Sequence, residues 1–541
     1  MPSSFIHTQN QRKGAVKMKD LNRKLPIGVQ SFEVVRQENF LYVDKTSYIY
    51  KLAHSGRQYF LSRPRRFGKS LFLSTLRAYW EGRKELFAGL SIENMEAGNE
   101  AAFQPYPVFY FDFNGENYQQ DTALEDALDK MLQKWEALYD CAPQGSLSAR
   151  FQTLLMKAKA ETGKNCVVLV DEYDKPLLEV LENRELEEHN KAVFKGFFGT
   201  LKSYDAYLQF VFITGVTKFS KVSIFSDLNQ LEDISFDEEY SAICGLTQEE
   251  LEQDFQPELS RLAEKHKLTE EEALQKLAAM YDGYHFYPDC PGLYNPFSLL
   301  NALKKSTLRA FWFSTGTPTF LVKRVQEARL NANRFTDQTI CADIEALTDY
   351  RYENPDPVPL LYQTGYLTIQ GFNERRQLYI LGFPNDEVKY GFLKSLLPAY
   401  TPAAMPNRGT DVFALCDCLE AGDTDDTRDI LTALFASIPY TTDAAPFEHY
   451  FQSVLYIVFT LLGQFVQCEV HSSRGRTDCI LETEQYVYLF EFKLDKPAQE
   501  ALAQIEEKGY AAPFAADQRQ LFKIGVSFDS EKRNLSEWLV G

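Results

Sequence analysis

Short apolar runs alternate with longer amphipathic stretches through the first 245 residues. Tyr59-Phe60-Leu61, Val108 to Phe113, Cys166 to Val170 and Phe210 to Ile213 have the length and the β-branched or aromatic content of strands. Between them the spacing predicts helices from Leu71 to about Gly82, from Thr122 to Tyr139 and from Leu147 to Thr162. Cys166-Val167-Val168-Leu169-Val170 is apolar at every position, as a strand buried on both faces of a parallel sheet must be. This alternation predicts an α/β domain whose parallel sheet is covered on both faces. A lead-in from Leu25 to Gln58 predicts a strand at Phe40-Leu41-Tyr42-Val43, then a helix through Leu52 with Asp44 or Thr46 at its N-cap.

From Thr247 to Tyr281 the pattern turns helical and acidic. Thr247-Gln248-Glu249-Glu250 and Thr269-Glu270-Glu271-Glu272 read as capping boxes, which predicts a small helical lid. Asn295-Pro296 opens a further helix, and Phe311-Trp312-Phe313 reads as core. Leu360 to Ile369 and Gln377 to Leu381 predict a hairpin, which with its flanking helices would form a winged-helix-like module. Leu397 to Gly409, rich in Pro and small residues, reads as a linker. Beyond it the pattern predicts helices from Val412 to Gly422 and Thr427 to Ala436. An apolar helix, Val454 to Leu462, follows, and then strands at Val466 to Val470, Asp478 to Leu481 and Tyr486 to Leu494. The expected organisation is a tail (1–24), an α/β core (25–245), a lid with the winged-helix-like module (246–397) and a second α/β domain (410–541).

With 541 residues the chain is too long for one core. The formal charge of −19 opposes a general affinity for nucleic acid or anionic membrane, so any contact with DNA or RNA must come from a local basic face. The nine cysteines and seven histidines are scattered without a Cys-x-x-Cys pair, which argues against zinc and for reduced thiols in the cytoplasm. The first twenty residues lack a secretory core, Met18 is an alternative start, and no apolar run is long enough for a membrane span.

Candidate chemistry lies where predicted strands end. Arg63-Pro64-Arg65-Arg66-Phe67-Gly68-Lys69-Ser70 joins a strand to a helix and closes on Gly-Lys-Ser, the setting of a phosphate-binding loop. Backbone N–H groups from Arg65, Arg66, Phe67 and Gly68 would cradle the phosphates of ATP; Lys69 would add its charge and the Ser70 hydroxyl would ligate Mg²⁺. The standard pattern has Gly where this chain has Arg63, and Pro64 has no N–H to give. The strand Cys166–Val170 runs into Asp171-Glu172. Asp171 would share the Mg²⁺ with Ser70, and Glu172 would activate the attacking water. Thr214, after the third strand, would sense the γ-phosphate, while Lys218 and Lys221 face phosphate or solvent.

The C-terminal domain carries a second constellation. Alternation on Tyr486–Leu494 puts Glu491 and Lys493 on one face, and a hairpin partner brings Asp478 opposite Glu491. Two carboxylates that hold Mg²⁺ beside a lysine are what a metal-dependent phosphodiesterase needs. Gln504, Lys508 and Tyr510 follow on a helix. From Thr401 onward 22 acidic residues oppose 11 basic ones, so Arg474, Arg476 and Lys493 are the obvious residents of a basic face.

Taken together, these stretches resemble the bacterial AAA-ATPase-like proteins that carry a C-terminal PD-(D/E)XK nuclease-like domain. The resemblance rests on Phe40 to Thr46, Arg63 to Ser70, Val170 to Pro176 and Ile213 to Ser220. It extends to Tyr281-Asp282-Gly283-Tyr284 and Tyr294 to Ser298, and covers most of the chain from about Leu25. It implies an AAA-like P-loop NTPase core, followed by the lid and a PD-(D/E)XK domain. In that family the Arg-Pro-Arg-Arg-Phe-Gly-Lys-Ser form of the loop is usual. The resemblance also implies that Phe40 to Thr46 lies near the nucleotide base and that Glu448 is the outer metal-binding acid. AAA-type rings commonly use an arginine finger from a neighbouring subunit, so a homo-oligomer is in view. The expected activity is ATP hydrolysis controlling a Mg²⁺-dependent nuclease. The alternatives are an ATP-gated switch whose nuclease fold only recognises, and a nucleotide-binding protein without turnover.

Overall fold

The computed structural model describes residues 23–218, 231–313, 319–328, 340–348, 356–400, 410–436, 447–463, 467–470 and 478–541. Side chains are described for these except 319, 410–411, 447–452 and 467–470. The chain divides into two compact units, Met1–Phe311 and Trp312–Gly541.

The first unit is built on β1 (Gln58–Ser62), β2 (Val108–Asp112), β3 (Cys166–Asp171), β4 (Leu208–Gly215) and β5 (Glu232–Asp233). They lie in the order β2-β3-β4-β1-β5 and pair in parallel throughout. Every residue of β3 is buried, as its unbroken apolar run requires. The predicted helices form at Lys69–Trp80, Ala123–Leu138 and Leu147–Thr162. Alternation on β2 sends Phe109 and Phe111 against Trp135 and Phe151, while Tyr110 on the other face lies under Arg77 of the helix Lys69–Trp80.

Two expectations fail here. Phe40-Leu41-Tyr42-Val43 is no strand: only Phe40 makes a parallel bridge, with Lys24. Leu41 and Val43 pack instead against the lid core of Leu251, Leu262 and Leu277, which draws their backbone away from the sheet. Asp174-Lys175-Pro176 and the charged stretch Glu179 to Lys191, which read from the sequence as a loop and an exposed helix, are not that either. Asp174 is buried, Lys175–Leu178 is one helical turn, and the next helix, Arg184–Ser203, buries Leu186, Glu187 and Asn190. Asp44 does serve a helix start: one oxygen accepts the Thr46 N–H at 2.9 Å, although Lys45 holds the cap position. Both capping boxes of the lid are formed.

In the second unit β6 (Ile340–Ala342), β7 (Thr368–Asn373) and β8 (Leu378–Gly382) form an antiparallel sheet in the order β6-β8-β7. The hairpin is the expected one, but its first strand starts at Thr368. Val358–Gln363 is a helix, and its apolar run is buried nearly all round. The aromatic trio divides: Phe311 packs near Tyr281 in the first unit, and Trp312 and Phe313 pack on Tyr366 in the second.

The last sheet has the order β13-β12-β11-β10-β9, from β9 (Gln467–Val470), β10 (Cys479–Glu482), β11 (Tyr486–Leu494), β12 (Gln520–Asp529) and β13 (Asn534–Val540). β9, β10 and β11 are antiparallel. β11 and β12 are parallel, joined by the helix Ala498–Glu507, which packs on both. The apolar helix Phe447–Leu462 buries Val454 to Leu462 and sets Phe459 against Phe490 and Phe492. Among the described residues no helix is long and apolar enough to cross a membrane. The linker residues 401–409 lie outside the described residues.

Candidate functional sites

The candidate phosphate loop leaves β1 and enters the helix Lys69–Trp80 through Gly68, whose φ of 93° is left-handed. Arg66 is left-handed as well, at φ 69°. Arg63 is not among the positive-φ residues, so the turn does not need glycine there. No side chain caps the helix at Gly68, which suits a site for an anion at its first N–H groups. Lys69 is buried, its ammonium donating to the carbonyls of Arg63 (3.0 Å) and Pro64 (3.2 Å). Arg65 and Arg66 are exposed, with Arg66 over the Phe297 ring. Phe67 is buried edge-on against Tyr284 and Phe286, and its carbonyl accepts the N–H of Gly245.

Asp171 ends β3 with 1% of its surface exposed. Ladder register sets it level with Asp112 of β2 and places Thr214 one residue beyond the last β3–β4 pair, Val170 and Ile213. One Asp171 oxygen faces the Tyr110 hydroxyl at 3.4 Å; the other, Oδ1, is buried without a hydrogen-bond partner. Burial raises its pKa to about 6, against the pull of Ser70 and Lys69. A buried acid with an unpartnered oxygen beside a serine hydroxyl fits a divalent cation, which would supply the missing contact. Glu172 stands at φ 49°, a strained left-handed position immediately after β3 ends. The Thr214 hydroxyl is fully buried and unpartnered. Lys218 pairs with Asp233 of β5; Lys221 lies outside the described residues.

Sequence reasoning missed three members of this edge. Asp174 ties the ends of β3 and β4 together, accepting from the N–H groups of Val216 and Thr217 and the Thr217 hydroxyl. Tyr110 and Asp112 reach the edge from β2. Their i, i+2 spacing next to a strand end was the available signal.

In the C-terminal sheet, Cys479 pairs with Phe490, so Asp478 comes opposite Glu491. An Asp478 oxygen accepts the Phe492 N–H at 2.8 Å. Burial and the charge of Glu491 push the Asp478 carboxyl up to about 6. Glu491 is raised too, chiefly by burial, and Lys493 opposes the shift. The Lys493 ammonium reaches Glu491 Oε1 at 2.9 Å and Gln504 Oε1 at 2.7 Å, while the Gln504 amide donates to Glu491 Oε1. Glu491 Oε2 is buried without a partner. Among the described residues no three His, Cys, Asp or Glu side chains are grouped to hold a metal unaided. Asp478 and Glu491 would therefore need a third donor. Glu448 lies on the helix leading to the sheet, with its side chain outside the described ones; Arg474 and Arg476 lie outside them as well. Lys508 is exposed, and the Tyr510 hydroxyl is buried without a partner.

Residues 26–225 match the family described as predicted AAA-ATPase, and residues 446–538 match the PD-(D/E)XK nuclease superfamily. A protein of Azotobacter chroococcum mcd 1 described as "Uncharacterized protein in vnfD 5'region" is 37% identical over 534 residues, covering 96% of this chain and 99% of its own length. With the parallel sheet and its Gly-Lys-Ser loop at one end and the Asp-Glu-Lys sheet at the other, the chain belongs to the predicted AAA-ATPase-like family with a C-terminal PD-(D/E)XK nuclease superfamily domain.

Proposed function

We propose that this protein binds and hydrolyses ATP at the carboxyl edge of the first sheet, and that this cycle controls Mg²⁺-dependent phosphodiester cleavage by the C-terminal domain. The observation that carries the reading is the pair of buried, unpartnered carboxylate oxygens, Asp171 Oδ1 and Glu491 Oε2, one in each constellation. Burying a carboxylate oxygen without a hydrogen bond costs free energy that a bound cation would offset.

At the first site Lys69, with two donors held by the Arg63 and Pro64 carbonyls, would turn its third to the phosphates, joined by the N–H groups of Arg65 to Gly68. Ser70 and Asp171 would hold Mg²⁺, Glu172 would take a proton from water, and Thr214 would report on the γ-phosphate. At the second, Asp478, Glu491 and Glu448 would hold Mg²⁺, which supplies Lewis-acid stabilisation of the phosphate. Lys493, kept in line by Gln504, would orient the attacking water and offset developing charge. The partner class is DNA or RNA, met through a local basic face; the scattered cysteines favour the cytoplasm and the AAA-like core favours a homo-oligomer.

A second reading is favoured by the acidity of the C-terminal segment, 22 acids against 11 bases: the nuclease fold recognises a partner without cutting. Cleavage of single-stranded, duplex and branched DNA and RNA separates the two. Wild type, Lys69→Ala and Asp478→Ala are compared with Mg²⁺ or Mn²⁺, each with and without ATP. Cleavage that needs Asp478 and responds to ATP supports the first reading. ATP hydrolysis with no substrate cut supports the second.

A further inference from the structure

The residue that breaks the standard loop pattern is among the largest fully buried side chains described. Arg63 is 1% exposed. Its guanidinium donates to the carbonyls of Ser62 (2.9 Å), Ser235 (2.8 Å), Tyr240 (3.0 Å) and Ser241 (3.4 Å), and lies 4.0 Å from the centre of the Phe286 ring. Its backbone N–H donates to Gly215 at the end of β4, and its carbonyl receives the Lys69 ammonium. One residue therefore connects the end of β4, the segment after β5, the hairpin that Tyr284 and Leu293 close after the lid, and the lysine of the loop.

We infer that Arg63 is the positioning residue of this loop: it takes over the task of the missing first glycine by fixing the carbonyls of residues 63 and 64 on which Lys69 rests. The inference rests on the ATP reading above. The geometry explains why glycine is not wanted. The left-handed backbone falls at Arg66 and Gly68, so position 63 needs no conformational freedom. What it needs is a planar, multiply donating group, because buried carbonyls of the 235–241 segment otherwise lose their donors. The ring of Phe286 adds an attraction that only a delocalised cation meets well. Phe67, two residues before Lys69, is gripped by Tyr284 and the same Phe286, so the post-lid hairpin holds the loop at two points.

The inference makes an unusual demand: Arg63→Gly, which restores the standard Gly-x-x-x-x-Gly-Lys-Ser spacing, weakens ATP binding. The full chain is titrated with MgATP by calorimetry, well below each variant's unfolding midpoint, and the ligand-free midpoint is measured separately. Arg63→Gly is expected to lose about tenfold or more in affinity, and Arg63→Lys, which keeps the charge but not the fork, to lose nearly as much. Phe286→Leu, which leaves all the carbonyl contacts, is expected to lose a few-fold and covers the case in which Arg63→Gly does not fold. A lowered midpoint with wild-type affinity in the folded variants overturns the positioning role and leaves a structural strut. Wild-type affinity in Arg63→Gly overturns it outright. If wild type binds no ATP, or binds it no better than Lys69→Ala, the ATP reading itself has failed and the inference falls with it.

Discussion

Asp174 and Thr217 are joined twice, the same carboxylate oxygen accepting the Thr217 N–H at 2.6 Å and its hydroxyl at 2.8 Å. That oxygen also takes the N–H of Val216 at 2.9 Å, so the turn leaving β4 hangs from an acid just past the end of β3. Removing the acid strands three buried donors. Asp174→Ala is expected to cost about 2–4 kcal/mol in urea unfolding; a loss below about 1 kcal/mol would show that water replaces the carboxylate. Gly215→Ala probes the same knot, because an added Cβ would stand 2.5 Å from Asp174 Oδ1.

Glu172 and Asp171 are neighbours with different surroundings, one half-buried on a left-handed turn and the other fully enclosed. Glu172→Gln is expected to leave ATP affinity within about threefold while phosphate release falls about a hundredfold or more. Unchanged turnover would move the base elsewhere on the edge, with Asp112, level with Asp171, the first to test.

Asp478 carries a pH signature. Its carboxyl rises from an ordinary 3.8 to about 6 in the folded, metal-free protein. Between those values the folded chain holds a proton that the unfolded chain releases, so this contribution to stability is full below 3.8 and lost as pH climbs through 6. In EDTA, Asp478→Asn is therefore expected to stabilise the protein at pH 7.5, on the order of 2 kcal/mol, and to do nothing near pH 3.5. Stabilisation of wild type by Mg²⁺ should appear only as pH rises past about 6, since the cation needs the ionised pair. An Asn variant less stable than wild type at pH 7.5 in EDTA contradicts this account.

Tyr110 holds the orientation of Asp171 from the neighbouring strand, its own ring set under Arg77. Groups that orient a metal ligand typically alter metal affinity when removed. Tyr110→Phe is expected to raise the Mg²⁺ concentration that half-saturates MgATP binding by about three- to tenfold, with metal-free ATP binding unchanged. Equal Mg²⁺ dependence in the two proteins would reduce Tyr110 to packing.

The parallel sheet was legible because strands buried on both faces have no polar positions to blur them, as Cys166 to Val170 demonstrates. The capping boxes at Thr247 and Thr269 were legible because a cap is a local bond. Phe40 to Val43 misled because its apolar residues serve the lid, a partner more than 200 residues away that no local period announces. Val358–Gln363 misled for the related reason that a short run buried all round has no period. In the nuclease-like sheet, alternation located Asp478, Glu491 and Lys493 together. At the first edge the motif residues were visible, but the contacts of Asp174, Tyr110 and Arg63 depend on which strand lies beside which. That order is set by crossovers, and side-chain pattern does not encode it.

The strand that delivers the phosphate loop has its neighbours far ahead of it. β1 is flanked by β4 and β5, about 150 residues downstream, and touches neither β2 nor β3. On a ribosome adding about 5–20 residues per second, Ser62 waits roughly 7–30 s before Gly215 exists to receive it. Until then Arg63 has no Ser235 or Tyr240 to hold, and the loop has no shape. The helices and β2–β3 pair made in the meantime must keep a strand-wide gap open or fill it provisionally, so the nascent chain passes through a stage in which the phosphate loop lacks the contacts that later bury Arg63.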